Sequence, residues 1–369
     1  MSFLSRRRAA ARHRKDTATS PPSSTPPPLP DIELSTDRPP LLTVSPAGPA
    51  SRWAAGQRDA LRAVVAEHGS VLVRGLGLRD ATEVGAVFRE LADTLMTERE
   101  AFAPRRTYAD GVYSSTAWPS NQPMCMHHEL SYTLEVPGLL LLACLEPAGR
   151  GGATGVADAE AVLAALPPEL TERFERDGWL LTRSYNDEIG ASVAEAFGTA
   201  DRTVVEAYCR AHSIEFAWRP DGSLHTRQRR AAVLRHPVTG RRCWFNQIAF
   251  LNEWTMDPEV REYLVDMYGA DGLPFNTRHG DGDPIGAEVV ATLNEVYEAH
   301  TVREPWRSGD LLLVDNIRCA HSREPFEGPR EVLVGLADPV RPPGHDKRHS
   351  PAQGSDKQDS DSKDEVSFT

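Results

Sequence analysis

Lysine is the most telling absence: after Lys15 none occurs until Lys347, so the whole interior of the chain is without it. Chemistry that needs a lysine is excluded there. That removes the Schiff-base enzymes, including those using pyridoxal phosphate, and the P-loop proteins with their G-K-[ST] signature. Neither G-x-G-x-x-G nor G-x-S-x-G occurs, so dinucleotide binding and the serine-hydrolase elbow have no support. No stretch approaches the run of about 18 apolar residues that would span a bilayer. Cysteine is sparse and odd in number (Cys125, Cys144, Cys209, Cys243, Cys319), with no C-x-x-C spacing. That pattern reads as a reduced, cytoplasmic chain and offers no thiolate zinc site. Positive charge is also short, with a formal net charge of −12, which argues against nucleic acid or an anionic membrane as the main partner.

What remains fits an ordinary soluble protein: 369 residues, 40% hydrophobic and 25% charged, with ample chain to bury a core. Residues 1–50 open with Arg6, Arg7, Arg8, Arg12, Arg14 and Lys15 and run into "PPSSTPPPLP", which reads as a disordered segment. The arginines lack the apolar run of a secretory signal. Residues 342–369 are polar and mixed in charge and read as a second disordered tail, leaving one folded domain over 51–341. Within it "DALRAVVAEHG" and "DATEVGAVFRELADTL" have helical spacing behind Asp caps, with "SVLVRGL" as a buried strand between them. "GLLLLACLEP", "GWLLTRSY", "RCWFNQIAF", "DLLLVDN" and "EVLVGLAD" read as further strands, with "AEAVLAAL" and "EVVATLNEVYEAH" as helical inserts. Strands without regular strand–helix alternation predict a mainly β chain, an antiparallel sandwich rather than a doubly wound parallel sheet.

The chemistry begins at "MCMHHELSY", where His127 and Glu129 form an H-x-E pair. The motif alone carries little, since 12 His and 53 acidic residues make roughly one or two such pairs expected by chance, and "TRHGDGD" supplies another in His279 and Asp281. Context separates them. "GGATGVAD" places Thr154 downstream of His127, and "GDLLLVDNIRCAHSREPFEGPREVLVGL" places His321 and Arg330 close together near the end of the fold. Two histidines and one carboxylate on one face of an iron leave three positions open, as non-haem Fe(II) oxygenases require. A 2-keto acid can take two and dioxygen the third, while an arginine and a threonine hydroxyl suit the keto acid's distal carboxylate. Strand alternation puts His127 and Glu129 on one side and His128 on the other.

With these residues in view, the segment from about Gly111 to Asp338 resembles the TauD/TfdA-type branch of Fe(II)/2-oxoglutarate dioxygenases. Within it the likeness is to antibiotic-pathway enzymes typified by the syringomycin-pathway aspartyl hydroxylase and to clavaminate-synthase-like amino-acid oxygenases. "GVYSSTAWPSNQPMCMHHELSY", "EPAGRGGATGVADAEAV", "WFNQ", "LPFNTRHGDGDPI", "PWRSGDLLLVDN" and "AHSREPFEGPR" carry it, in the family's order. The resemblance implies a double-stranded β-helix (jelly-roll, cupin-like) core, Fe(II) on His127, Glu129 and His321, and 2-oxoglutarate on Arg330 and Thr154, with O2 as cosubstrate. His279 and Asp281 fall in a loop before the last helix. The implied reaction is oxidative decarboxylation of 2-oxoglutarate coupled to hydroxylation of an unactivated carbon of an amino acid or a carrier-bound aminoacyl group in natural-product biosynthesis. Related halogenases replace the iron carboxylate with a small residue, so Glu129 argues for hydroxylation. Desaturation, epoxidation and cyclisation remain open, and a non-catalytic jelly-roll binding module and a zinc hydrolase are the readings from other classes.

Three features depart from the family pattern. Val334 stands where relatives acting on free amino acids often carry a second arginine, which points to a substrate with a masked carboxylate, such as a thioester on a carrier protein. Met124, Cys125 and Met126 stand where relatives have ordinary apolar residues and read as strand packing or a redox feature. His128, commonly Asn in relatives, is expected in a hydrogen-bonding or surface role. Finally, Arg227, Arg229, Arg230, Arg235, Arg241 and Arg242 accumulate where no acidic residue occurs, either as a docking patch for an acidic carrier protein or as a solvated hairpin face. Asn246 and Val334 are the candidate substrate-pocket residues.

Overall fold

The run Val136–Glu146 is apolar at nearly every position, which a strand needs only when both of its faces are covered. In the computed structural model, which describes residues 29–186 and 188–347, this run is strand β6 at the centre of a seven-stranded sheet. The sheet order is β1 (Leu41–Thr43), β2 (Ser70–Arg74), β16 (Leu311–Asp315), β6, β19 (Glu331–Val340), β4 (Val112–Ser114) and β3 (Thr107–Ala109). Only the β1–β2 pair is parallel. Because side chains alternate across a strand, Leu139, Leu141 and Ala143 go to one core and Leu140, Leu142 and Cys144 to another.

The first core lies under two helices. Helix α1 (Ala50–His68) buries Ala54, Leu61, Val64 and Val65 there, and α2 (Ala81–Leu91) adds Val84, Val87, Phe88 and Leu91. Asp80 caps α2 by accepting from the backbone N–H groups of Thr82 and Glu83, an arrangement that typically stabilises by about 1 kcal/mol. Gly69 ends α1 at φ 83°, the left-handed conformation that glycine adopts without strain.

The second core is enclosed by a four-stranded antiparallel sheet ordered β15 (Thr301–Glu304), β8 (Thr154–Asp158), β17 (Cys319–Arg323) and β5 (Met124–His127). Met124, Met126, Val156, Ala157, Cys319 and Ala320 share one hydrophobic cluster with Leu140, Leu142, Val332 and Val334 of the larger sheet. Met124 and Met126 are thus core packing. A short ribbon of β7 (Arg150–Gly151) and β18 (Phe326–Glu327) continues this sheet pair. The insert between the jelly-roll halves holds a third sheet, ordered β10 (Glu215–Trp218), β11 (Leu224–Arg230), β9 (Trp179–Tyr185) and β14 (Phe275–His279), beside the hairpin of β12 (Val233–Arg235) and β13 (Arg242–Trp244). Helices α3 (Ala159–Ala165), α4 (Pro168–Asp177), α5 (Val193–Phe197), α6 (Arg202–Ala211), α7 (Pro258–Tyr268) and α8 (Ala287–Ala299) complete the inserts. The class is the expected one: mainly β, with a jelly-roll core and helical inserts.

Several local expectations are corrected. Helix α1 starts well before Asp59, behind Pro49 with no side-chain cap. Only Arg242–Trp244 of "RCWFNQIAF" is strand, because the segment turns away to bring Phe245–Phe250 under the jelly roll. Ordered structure also passes both domain limits. Leu41 and Leu42 are buried, with β1 paired to β2, inside the segment read as a tail, and His345 is buried with Nε2 against the Thr133 carbonyl at 3.0 Å. A few apolar or polar side chains were enough to dock these pieces, a signal too short for composition to reveal. The arginine cluster at the start of the chain and the polar tail from residue 348 onward lie outside the described residues. Among the described residues no helix is long and apolar enough to cross a membrane.

Candidate active site

His127, the last residue of β5, lies directly opposite His321 in the β5–β17 register, with ring centroids 4.3 Å apart. Antiparallel pairing therefore makes the first two members of the site cross-strand neighbours. Glu129 joins them from a turn rather than from the strand. Its backbone N–H donates to Asn316 Oδ1 at 2.8 Å, and the Asn316 amide donates back to the Glu129 carbonyl at 3.0 Å and to the Pro137 carbonyl at 2.9 Å. Leu130 follows at φ 53°, which turns the chain away. The result brings one ligand atom from each of His127, Glu129 and His321 within 4.8 Å of one another. All three residues are buried.

The tautomer of His127 is fixed by contact. Its Nδ1 is 2.7 Å from the Cys125 carbonyl, which only an N–H can satisfy, so Nε2 keeps a free lone pair. Burial, and then the neighbouring His321, push the His127 imidazole down to about 3, leaving it neutral as a metal ligand must be. Phe250 stacks on its ring at 4.5 Å. For Glu129, burial alone would raise the carboxyl, but the Arg105 guanidinium and His321 outweigh it and hold the group well below the usual carboxylate range. Two imidazoles and an ionised carboxylate on one side of a cavity form a donor set suited to a divalent transition metal with open positions.

The apolar floor of the cavity is Leu140, Leu142, Val332 and Val334. Thr154 and Arg330 open onto it beside the histidines. Arg330 is held by its Nε donating to the Gly152 carbonyl at 2.9 Å and lies over the Phe326 ring. Gly152 sits at φ 76°, and a Cβ there would stand 3.1 Å from the Arg330 side chain, so glycine is required for this approach. Burial and the nearby Arg323 lower the Arg330 guanidinium to about 10, and among the described residues no carboxylate pairs with it. A half-buried cation without a carboxylate partner is costly. It therefore marks a place prepared for an anion.

The match to known sequences covers this whole architecture: residues 40–336 fit the model of the family described as "Taurine catabolism dioxygenase TauD, TfdA family". The chain belongs to the TauD/TfdA family. Its members are Fe(II)- and 2-oxoglutarate-dependent dioxygenases, and this chain is an oxidoreductase of that kind. It is 33% identical over 287 residues to the dapdiamide synthesis protein DdaC of Enterobacter agglomerans, covering 78% of this chain and 87% of that protein. It is 26% identical over 291 residues to a clavaminate synthase-like protein of Arabidopsis thaliana, covering 76% and 84% respectively. Among solved structures, the PvcB protein from Pseudomonas aeruginosa superposes with a TM-score of 0.50 at 17% identity, over 86% of this chain and 96% of that one. That likeness is one of fold.

Against the TauD/TfdA framework, each residue singled out in the sequence has a definite place. His127, Glu129, His321, Thr154, Arg330 and Val334 all line the one cavity. Asn246 does not. Its side chain donates to the Ala232 carbonyl at 3.3 Å and accepts from the Ile248 N–H at 3.1 Å, so it shapes the turn beneath the site. His128 points away from the cavity but not to the surface: it is fully buried, with its ring 4.8 Å from that of Phe245. His279 and Asp281 lie at the end of β14 and in the turn before α8, apart from the cavity.

The arginine-rich stretch is not one uncompensated face. Arg230 is fully buried, its Nε donating to the Tyr132 carbonyl and an Nη to the His212 carbonyl. Arg241 and Arg242 are exposed and pair with Glu160 and Glu175. Acidic residues absent from the local sequence are supplied by α3 and α4.

Four residues of the site had no signal in pattern reasoning. Arg105 contacts Glu129, Glu98 contacts Arg105, Asn316 grips the Glu129 backbone, and Trp306 Nε1 donates to the Thr154 hydroxyl at 3.2 Å. Asn316 and Trp306 stand in "PWRSGDLLLVDN", which carried the resemblance without assigning them a role. Arg105 stands upstream of Gly111, where the family likeness begins.

Proposed function

We propose that His127, Glu129 and His321 hold the Fe(II), that Arg330 and Thr154 hold the distal carboxylate of 2-oxoglutarate, and that the chain hydroxylates an amino-acid-derived substrate whose carboxylate is masked. When bound, iron and 2-oxoglutarate supply the oxidation of an unactivated C–H bond, with O2 consumed and succinate and CO2 released. The protein supplies position and enclosure. Arg330 offers a planar fork to one carboxylate while the Thr154 hydroxyl, held by Trp306, offers another donor beside it. Phe250 covers His127, and Phe102 and Trp118 pack on Phe250 with centroids 5.3 Å away, so this side is closed to water. Glu129 occupies the position that a halide would need, which favours hydroxylation.

The masked carboxylate rests on the state of the other cations. Besides Arg330, two guanidinium groups line the cavity, and both are committed. Arg323 donates to the carbonyls of Trp118, Pro119 and Gln122, and Arg105 is held by Glu98 and Glu129. Val334, which could have been an arginine, is part of the apolar floor. A free α-carboxylate would enter without a partner and keep its desolvation cost. A thioester on a carrier protein, the chemistry of assembly-line natural-product biosynthesis, would not. Succinate release measured across free amino acids and their carrier-bound forms tests this: faster turnover of a free acid would overturn the masked-substrate reading. Anaerobic addition of Fe(II) and then 2-oxoglutarate tests the site itself through the visible charge-transfer absorption of the ternary complex.

A further inference from the structure

Arg105 occupies a position that neither binding of 2-oxoglutarate nor closure of the site explains. It comes from the loop ahead of β3, its side chain is only 4% exposed, and its Nη2 donates to Glu129 Oε1 at 2.9 Å. The other oxygen, Oε2, faces His321 Nε2 at 3.6 Å. The two oxygens of the carboxylate are thereby made unequal: one is taken by a guanidinium, and the other is turned toward the imidazoles. On its far side Arg105 meets Glu98, Nε to Oε1 at 3.2 Å, and the Glu98 side chain is itself only 9% exposed.

The second contact answers an electrostatic difficulty. A bare guanidinium one residue away from a dication would repel it, and burial would make that repulsion stronger. A buried carboxylate on the opposite side of the guanidinium cancels the charge and leaves the hydrogen bond. We propose that Arg105 is a positioning residue for the metal centre: it restricts Glu129 to one metal-facing oxygen, and Glu98 neutralises it so that it can do so beside the ion. A carboxylate free to turn would present both oxygens and occupy a position that 2-oxoglutarate or O2 needs. The inference rests on the assignment of Glu129 as a ligand.

The test reads binding rather than turnover. Purified metal-free protein is titrated anaerobically with Fe(II) and then with 2-oxoglutarate, following the charge-transfer band, for wild type, Arg105→Met, Arg105→Lys and Glu98→Gln. Failure of the wild type to bind iron would refute the ligand assignment, independently of the variants. If wild type binds, Arg105→Met should weaken Fe(II) binding by about tenfold to a hundredfold, the usual effect of removing a ligand's outer partner, and should shift the band. Arg105→Lys should recover part of that loss, since it keeps the charge and one donor, and Glu98→Gln should weaken Fe(II) binding severalfold without removing the hydrogen bond to Glu129. Folded Arg105→Met with wild-type affinity and spectrum would overturn the proposal. Should Arg105→Met not fold, wild-type affinities in both Arg105→Lys and Glu98→Gln would overturn it equally.

Discussion

Two places in this chain carry a histidine followed two residues later by a carboxylate, and they have opposite fates. At His127 and Glu129 the strand pairs with β17, so His321 is set opposite His127, and the carboxylate turns inward toward both. At His279 and Asp281 the strand pairs with β9, which sets Trp179 opposite the histidine. The His279 ring stacks on Phe174 at 4.6 Å, and Asp281 turns outward to Arg173 Nη2 at 2.8 Å, with Asp283 on the same nitrogen at 2.6 Å. Identical spacing thus yields a candidate ligand set in one case and a packed ring with a surface ion pair in the other. What differs is the cross-strand partner.

The sharpest way to break this comparison is to remove a ligand from each side. His127→Ala or His321→Ala should abolish Fe(II) binding in the anaerobic titration and with it succinate release, whereas His279→Ala should leave the iron affinity unchanged. The reverse result would exchange the roles of the two motifs. Arg330→Met should come next, raising the 2-oxoglutarate requirement by about tenfold to a hundredfold through loss of charge-assisted hydrogen bonds. Titration of 2-oxoglutarate into the iron-loaded variant measures this. Asn316→Ala strips the Glu129 backbone of both partners, and leaving such buried groups unsatisfied should lower stability by about 1–3 kcal/mol, read by urea unfolding of the metal-free protein. At His279, Ala substitution empties the space beside Phe174 and should cost about 1–2 kcal/mol in the same measurement. The smallest effect is expected at Arg173→Ala, about 0–1 kcal/mol and shrinking further in high salt, because its partners are at the surface.

Legibility in the sequence followed the range of the interaction. Asp80 as the cap of α2 and "GLLLLACLEP" as a strand are local consequences of residue type, and each stands where the pattern put it. Asn246 misled because "WFNQ" is a motif whose side chain turns back onto its own backbone. The arginine-rich stretch was legible in part: Arg235, Arg241 and Arg242 are exposed on a hairpin, one of its two readings, but Arg230 is buried and the counter-charges of Arg241 and Arg242 come from Glu160 and Glu175, more than sixty positions away in the chain. His128 stands away from the cavity, as expected, but it lies past the end of β5, and residue type did not say whether that side is solvent or core.

By itself, then, the sequence determined the class of chemistry. The lysine-free interior closed off other catalytic routes, and His127, Glu129, Thr154, His321 and Arg330, in that order within family-like text, specified an Fe(II)/2-oxoglutarate dioxygenase. Only the tertiary structure decided which H-x-E/D pair closes into a site, since ligand sets are defined by distances of a few ångströms between residues nearly two hundred positions apart. It also decided which arginines are already spoken for. Charge compensation is a property of neighbours in space, and Arg105, between Glu98 and Glu129, has no local pattern that announces it.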